Sequence, residues 1–492
     1  MKSLYWFVPV LLVVSQWVYI QASNNQIRHE ELAESIRNVF WLDHRLVYDG
    51  ISSNVGYYGL LLIVYKIFGF SIHTAKYVRL IIYGAALYSL AVLLQKFMGR
   101  AYATIILVTI GLSPTILFFN TMQTSYGIDI LYAIICLLIV VEIQFDNSPK
   151  DWWLTCLLGF IAMLAAMSYP TFVPYLPSLA LVYVYRYMRS EQKKITPPII
   201  GMISVAVGFL IPLLIAICYL KNTTTFFNDP IILNDPARHA GLFRGGGKLQ
   251  FDIQTLENSA SQTLSDIFRQ GTSYYYDVQH PDFSGKLTWI AVIAVFATGF
   301  FLALQTPAVR IILSLVAFHI LLNLIVPSFA ENVPGIRRAT GFLAGIYAWY
   351  GITAFALFIE SSSKHRLEKI IKWVGVVACL LITTNNLINY VKNKEIIGRL
   401  SAFRNISWFA IKDTPKESLQ YWLDRTGEGE ALICYSAGNA PVACSYAEIY
   451  AAIAGFRNWN RLPELPVRAF DWKAQKITTL NVDLWETYYF FH

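Results

Sequence analysis

Residues 77–100 read YVRLIIYGAALYSLAVLLQKFMGR: eighteen residues from Tyr77 to Leu94 carry one charge, Arg79, and Lys96 and Arg100 follow at the other end. Wound as an α-helix, eighteen residues rise about 27 Å, close to the roughly 30 Å hydrocarbon thickness of a bilayer. The stretch predicts a membrane span whose closing end carries the basic residues. The rest of the chain agrees: 56% of its 492 residues are apolar and only 14% are charged, with a mean hydropathy of +0.47. So little polar surface cannot cover a water-facing globule of this size. The aromatic content of 15%, with 30 Tyr and 13 Trp, suits many crossings, because amphipathic rings favour the headgroup level. The net charge of +8 comes from short basic runs between apolar segments, where it orients helices and implies no nucleic-acid partner.

Ten further apolar runs read as spans. They lie at Leu4–Ile20, Tyr102–Phe119, Ile128–Gln144, Trp152–Met167, Thr171–Tyr185, Pro197–Leu220, Leu287–Leu304, Val309–Val326, Gly341–Phe358 and Ile371–Leu387. A cleavable signal peptide is the rival reading of the first, since Gln21-Ala22-Ser23 resembles a cleavage site, but the run is long enough to span. With a cytoplasmic N-terminus, eleven spans place Lys96/Arg100, Arg186/Arg189/Lys193/Lys194 and Lys364/Arg366/Lys369 on the cytoplasmic side, as the positive-inside rule asks. Counting Val55–Phe70 as a further span would reverse all three clusters, so it reads as interfacial or re-entrant. The expected architecture is an all-α multi-pass protein of the plasma or inner membrane. Residues 1–390 form the transmembrane domain, with outer loops at 22–76 and 221–285, and residues 391–492 form a small extracytoplasmic α/β domain. In that domain Glu430–Ser436 and Trp485–Phe491 read as strands and Ala447–Ala454 as a helix. Of six cysteines, only Cys434 and Cys444 fall outside the expected spans, and a disulfide between them suits an oxidising compartment.

The first outer loop carries the clearest chemistry. In His29–Phe40, Leu32, Ile36, Val39 and Phe40 recur at helical spacing, so an amphipathic helix is expected there, with Glu30, Glu31, Glu34 and Arg37 on its polar face. A carboxylate at a dry interface has a raised pKa or needs a partner, and either suits a general base acting on a hydroxyl. The plainer reading is that first-turn acids complement the helix dipole. Arg79, at the outer mouth of its span, can grip a phosphate through two hydrogen bonds or simply snorkel. Arg337-Arg338 breaks the positive-inside bias, which points to an anion, with pairing to Glu331 as the alternative. Asp129 either orients a substrate or caps its helix. Asp235, His239, Asp277, His280 and Asp282 are metal-ligand types, but their spacing matches no recognised site. No cofactor is firmly expected, and a divalent metal is the weaker alternative.

The order of these features is similar to a known family. The acidic helix is followed by Val47-Tyr48-Asp49-Gly50, Tyr65-Lys66-Ile67-Phe68-Gly69, Ala75-Lys76-Tyr77-Val78-Arg79-Leu80, Lys96-Phe97-Met98-Gly99-Arg100, Gly111-Leu112-Ser113-Pro114 and Gly127-Ile128-Asp129. This resembles the GT-C superfamily of membrane glycosyltransferases, in its protein mannosyltransferase and aminoarabinose transferase-like branch. The likeness is best over residues 1–190, thinner over 286–360 and absent from the C-terminal domain. It implies an enzyme of cell-envelope glycan assembly that moves a sugar from a polyprenyl-phosphate donor to a lipid, glycan or protein acceptor on the outer face. The family's acidic pair would correspond to Glu30-Glu31, written Asp-Glu elsewhere, and its arginine to Arg79, with Arg337 and Arg338 as further donor-phosphate ligands. The family's second acid before the interfacial run is missing, since Ser52-Ser53-Asn54 stands there; Asp49, a few residues earlier, is the nearest carboxylate and a possible substrate-orienting group. The rival classes are a transporter or flippase for a lipid-linked glycan and a non-catalytic assembly subunit. Transporters favour mid-membrane ionisable groups and internal repeats, and neither is visible here. The parity of spans predicts that cysteines placed at positions 96 and 248 label from opposite sides of the membrane; labelling from one side would overturn the topology.

Overall fold

The computed structural model describes residues 4–22, 55–68, 74–97, 100–112, 127–146, 148–169, 175–189, 196–220, 366–392, 431–435, 467–471 and 476–480, with isolated positions between them, among them Ser35, Val39 and Leu42. The helices are α1 (Leu4–Ala22), α2 (Val55–Phe68), α3 (Thr74–Phe97), α4 (Arg100–Gly111), α5 (Ile128–Glu142), α6 (Pro149–Ser168), α7 (Tyr175–Arg189), α8 (Thr196–Leu220) and α9 (Arg366–Lys392). Thr74–Lys96, Pro149–Ser168 and Gly201–Tyr219 are long and apolar enough to cross a membrane, and Leu4–Val18, Val55–Phe68 and Val376–Asn385 are shorter apolar helices. Leu11 and Trp17 on α1, Ile203 and Ile215 on α8, and Trp373 and Val377 on α9 are exposed. Such surfaces are stable against lipid, where helices satisfy their own backbone groups. The protein is an integral membrane protein built from a helical bundle.

The helix ends sort into two sets. Tyr5, at the start of α1, donates to the Ala91 carbonyl near the end of α3 at 2.6 Å. Lys96, at the end of α3, pairs with Glu142, at the end of α5, at 2.7 Å. Arg186, near the end of α7, donates to the Ile143 carbonyl at 3.0 Å. These residues share one end of the bundle, called the basic end here, and the opposite end is the far end. The turn from α5 to α6 is fastened at the basic end. The Asp151 carboxylate accepts from the backbone N–H groups of Gln144 and Asp146 at 3.0 and 2.9 Å, and Ser148 caps α6 by accepting from Asp151. Hydrogen bonds from Ser148, side chain first and then backbone, hold the exposed Asp146 carboxyl below its usual range. Phe145 takes a left-handed φ of 62° in this turn, a conformation that costs roughly 1–2 kcal/mol. Its ring meets Tyr183 and Tyr187 edge-on, at 5.0 and 5.8 Å between centroids, and each such contact returns about 0.5–1.5 kcal/mol beyond its area.

Because α1 and α3 run antiparallel, with Val13 also beside Gly84, the chain leaves α1 and enters α3 at the far end. Helix α2, with fourteen residues, rises only about 21 Å, and its Gly56 rests on Leu164 and Ser168 at the far end of α6. Its start therefore lies at the far end. It buries Tyr57, Tyr58, Leu61, Leu62 and Tyr65 while exposing Ile63, Ile67 and Phe68.

Of the span expected over Tyr102–Phe119, the structure describes the helix Arg100–Gly111 and a further helical position at Ile116; residues 113–115 and 117–119 lie outside the described residues. The expected strand at Glu430–Ser436 is present as β1 (Ala431–Tyr435), pairing in parallel with β2 (Val467–Asp471), which pairs antiparallel with β3 (Lys476–Leu480). The last two strands are too short and too mixed in polarity to stand out in the sequence. The remaining C-terminal helix and strand, Cys444, the two spans at 309–326 and 341–358, and most of that at 287–304 lie outside the described residues.

Helices α6 and α8 meet backbone to backbone. A Cβ built on Gly208 would fall 1.9 Å from the Cys156 carbonyl oxygen, and one on Gly159 would fall 2.0 Å from the Val205 carbonyl oxygen. Small residues permit such approach, which in lipid replaces the hydrophobic drive for helix association. Gly208→Leu is expected to lower the thermal unfolding temperature in detergent by several degrees, because overpacking costs about 1–3 kcal/mol or more; an unchanged temperature would mean this seam does not hold the bundle.

Candidate functional site

The far end gathers the chemistry. Four elements meet there: the start of α2, the first turns of α3 and α5, and the last turn of α6. Helix α3 opens with Thr74, Ala75, Lys76 and Arg79, and three-residue spacing puts Lys76 and Arg79 on one face. That face continues through Tyr83, whose hydroxyl donates to the Gly111 carbonyl at 2.8 Å. Arg79 is fully buried at 0% exposure and Lys76 at 2%. An ionised group taken out of water costs several kcal/mol, so two buried cations one turn apart are a feature that core packing does not require. In a membrane protein, ionisable groups so placed are functional candidates by default.

Aromatic side chains surround the pair. The Arg79 guanidinium carbon lies 6.0 Å above the Tyr57 ring centre. Tyr57 meets Tyr58 edge-on at 5.4 Å, and its hydroxyl reaches the Ala75 carbonyl at 3.5 Å. Tyr132, buried on α5, is hydrogen-bonded to Ser168 and lies within electrostatic reach of Arg79 and Tyr57. Ser168 in turn donates to the Leu164 carbonyl at 2.7 Å. Phe172 and Tyr175 stack at 5.5 Å just beyond the end of α6.

Asp129 corrects one expectation. The cap of α5 is Gly127, with a left-handed φ of 72° and no side-chain cap hydrogen bond. Asp129 sits inside the first turn and is completely buried, at 0% exposure. A first-turn carboxylate is favoured by the helix dipole, but full burial of a membrane carboxylate exceeds what a dipole partner needs. The arrangement places one anionic and two cationic groups in the first two turns of neighbouring helices at the far end.

Of the residues singled out in the sequence, Arg79 and Asp129 fall here. Glu30, Glu31, Asp49, Arg337 and Arg338 lie outside the described residues, as do Asp235, His239, Asp277, His280 and Asp282. From the expected amphipathic stretch, Ser35 and Val39, together with Leu42 just beyond it, are helical and buried. Leu42 lies over Gly59 of α2, while Ser35 comes near Tyr65 towards the other end of that helix. Lys76 was visible in the sequence only as part of a family-like word; its spacing from Arg79 was the signal that could have marked it. No group of His, Cys, Asp and Glu arranged to hold a metal occurs among the described residues.

No family model and no curated protein matches the chain. Among solved structures, it is similar to the crystal structure of ArnT from Cupriavidus metallidurans bound to undecaprenyl phosphate, with a TM-score of 0.53 and 10% identity over 93% of this chain and 89% of that one. The chain therefore shares the overall fold of that protein, the kind of fold that its order of motifs led one to expect.

Proposed function

We propose that this protein is a glycosyltransferase that moves a sugar from a polyprenyl-phosphate donor to an acceptor on the outer face of the membrane. The observation that carries the reading is the buried pair Lys76 and Arg79 at the far end of a GT-C fold. A phosphodiester carrying a long apolar tail is the ligand such a site suits. Its charge needs cations in a dry setting, and its tail needs the bilayer that the exposed apolar helix surfaces already imply. The similar protein, crystallised with undecaprenyl phosphate, supports this class of ligand. The basic end corresponds to the cytoplasmic face under the positive-inside rule, which puts the site on the opposite side, where no nucleotide sugar is needed.

In this reading Glu30 or Glu31 takes the proton from an acceptor hydroxyl. The acceptor oxygen forms a bond to the anomeric carbon while the bond from that carbon to the donor phosphate oxygen breaks. The electron pair leaves with the polyprenyl phosphate. Arg79 and Lys76, together with Arg337 and Arg338, neutralise the charge growing on the leaving phosphate. Preorganised cations in a low-dielectric site act strongly because they need no reorganisation as charge develops. Asp129 and Asp49 orient the sugar by accepting hydrogen bonds from its hydroxyls.

Purified protein incubated with labelled polyprenyl-phosphate sugars is expected to transfer or hydrolyse at least one of them; no turnover with any would overturn the proposal. Glu30→Gln and Glu31→Gln should separate. One is expected to lose roughly 100-fold to 10,000-fold in turnover, the usual range for a lost general base, and the other to lose far less. If both keep wild-type rates, neither is the base. Arg79→Lys is expected to weaken donor binding, because a point charge cannot replace the two-pronged guanidinium; an unchanged donor affinity in Arg79→Ala would return Arg79 to a structural role.

A further inference from the structure

Neighbouring residues at the start of α2 touch different helices. Gly56 lies on α6: a Cβ there would fall 2.6 Å from the Leu164 carbonyl oxygen, 2.8 Å from Ser168 Oγ and 2.9 Å from the Ser168 backbone nitrogen. Tyr57 lies on α3, with its ring 6.0 Å below the Arg79 guanidinium and its hydroxyl at the Ala75 carbonyl. Tyr57 is fully buried, as is Arg79. The ring is therefore held in place by the backbone beneath it, and Tyr58 supports it edge-on. A guanidinium has a plane, and its usefulness to a phosphate depends on where that plane points. An aromatic face attracts the cation and fixes its position without consuming an N–H donor.

We propose that Tyr57 is a positioning residue for the donor phosphate. Its ring, seated by Gly56 on α6, sets the guanidinium of Arg79 so that its N–H groups face the ligand. The inference rests on Arg79 acting as a donor-phosphate ligand and adds a residue in α2, an element with no charged group of its own near Arg79. It also makes donor affinity depend on how the interfacial helix sits, since α2 cannot shift on α6 without moving the ring.

The test measures binding of undecaprenyl phosphate to the full-length protein in nanodiscs for wild type, Arg79→Ala, Tyr57→Phe, Tyr57→Leu, Gly56→Ala and the Tyr57→Leu/Arg79→Ala double variant. Tyr57→Phe keeps the ring face and is expected to bind within about twofold of wild type. Tyr57→Leu keeps bulk without a ring and is expected to weaken binding about threefold to thirtyfold, the range of a buried cation–ring contact. Gly56→Ala, which displaces α2 while leaving Tyr57 intact, is expected to weaken it similarly, and keeps the test open should Tyr57→Leu fail to fold. In the Arg79→Ala background, Tyr57→Leu should add nothing, because the ring acts through the guanidinium. A full additional loss in the double variant, or unchanged binding in both Tyr57→Leu and Gly56→Ala beside a weakened Arg79→Ala, would overturn the positioning role alone. Unchanged binding in Arg79→Ala itself would overturn the donor-phosphate reading first and this proposal with it.

Discussion

The cost of a charge in hydrocarbon governs this molecule. Every Asp, Glu, Lys and Arg in a described helix of six residues or more falls within about two turns of one of that helix's ends, leaving the middles to Leu, Ile, Val, Ala and small polar residues that bond within their own helix, such as Thr104 and Thr109. With charge confined to the ends, the bundle acquires two chemically distinct faces. The basic end spends its charges on one another and on backbone: Lys96 with Glu142, Arg186 with the Ile143 carbonyl, Asp151 with two amide groups. The far end instead holds Lys76, Arg79 and Asp129 buried among aromatic rings. Structural demands explain the first arrangement. The second sets three buried ionisable groups in the first two turns of α3 and α5.

Much of this was readable before any coordinates, for a physical reason. Apolar runs report on the bilayer directly, so the membrane class and the helices α1, α3, α5, α6, α7, α8 and α9 followed from hydropathy. Where local signals compete, the sequence misled. Asp129 looked like a cap because Asp caps often, but a left-handed Gly127 does that work. The short strands Val467–Asp471 and Lys476–Leu480 acquire meaning only by pairing, which no single segment encodes.

The candidate site was legible in part. Arg79 could be picked out because a lone charge opening an apolar run is conspicuous. Lys76 carried a weaker signal, its spacing from Arg79, since lysines at helix mouths ordinarily stretch towards water; only the fold shows that it is buried. Tyr57 is one of thirty tyrosines, with nothing in its neighbours to distinguish it. It matters because α2 folds back to place it under a residue twenty-two positions later in the chain, a relation visible only in three dimensions.

The Phe145 ring wedged between Tyr183 and Tyr187 acts as a rivet. With the Asp151 and Arg186 hydrogen bonds around it, it ties the end of α5, the start of α6 and the end of α7 into one knuckle. Helices joined at one end share a common pivot, and their freedom to splay grows with distance from it. The far ends of α5 and α6 are tied separately, by the Tyr132–Ser168 hydrogen bond and by Gly56 of α2 resting on Leu164 and Ser168. Helices α5 and α6 are thus fixed relative to one another at both ends, with α7 joined to them at one, so this part of the bundle is a rigid wall against which its neighbours pack.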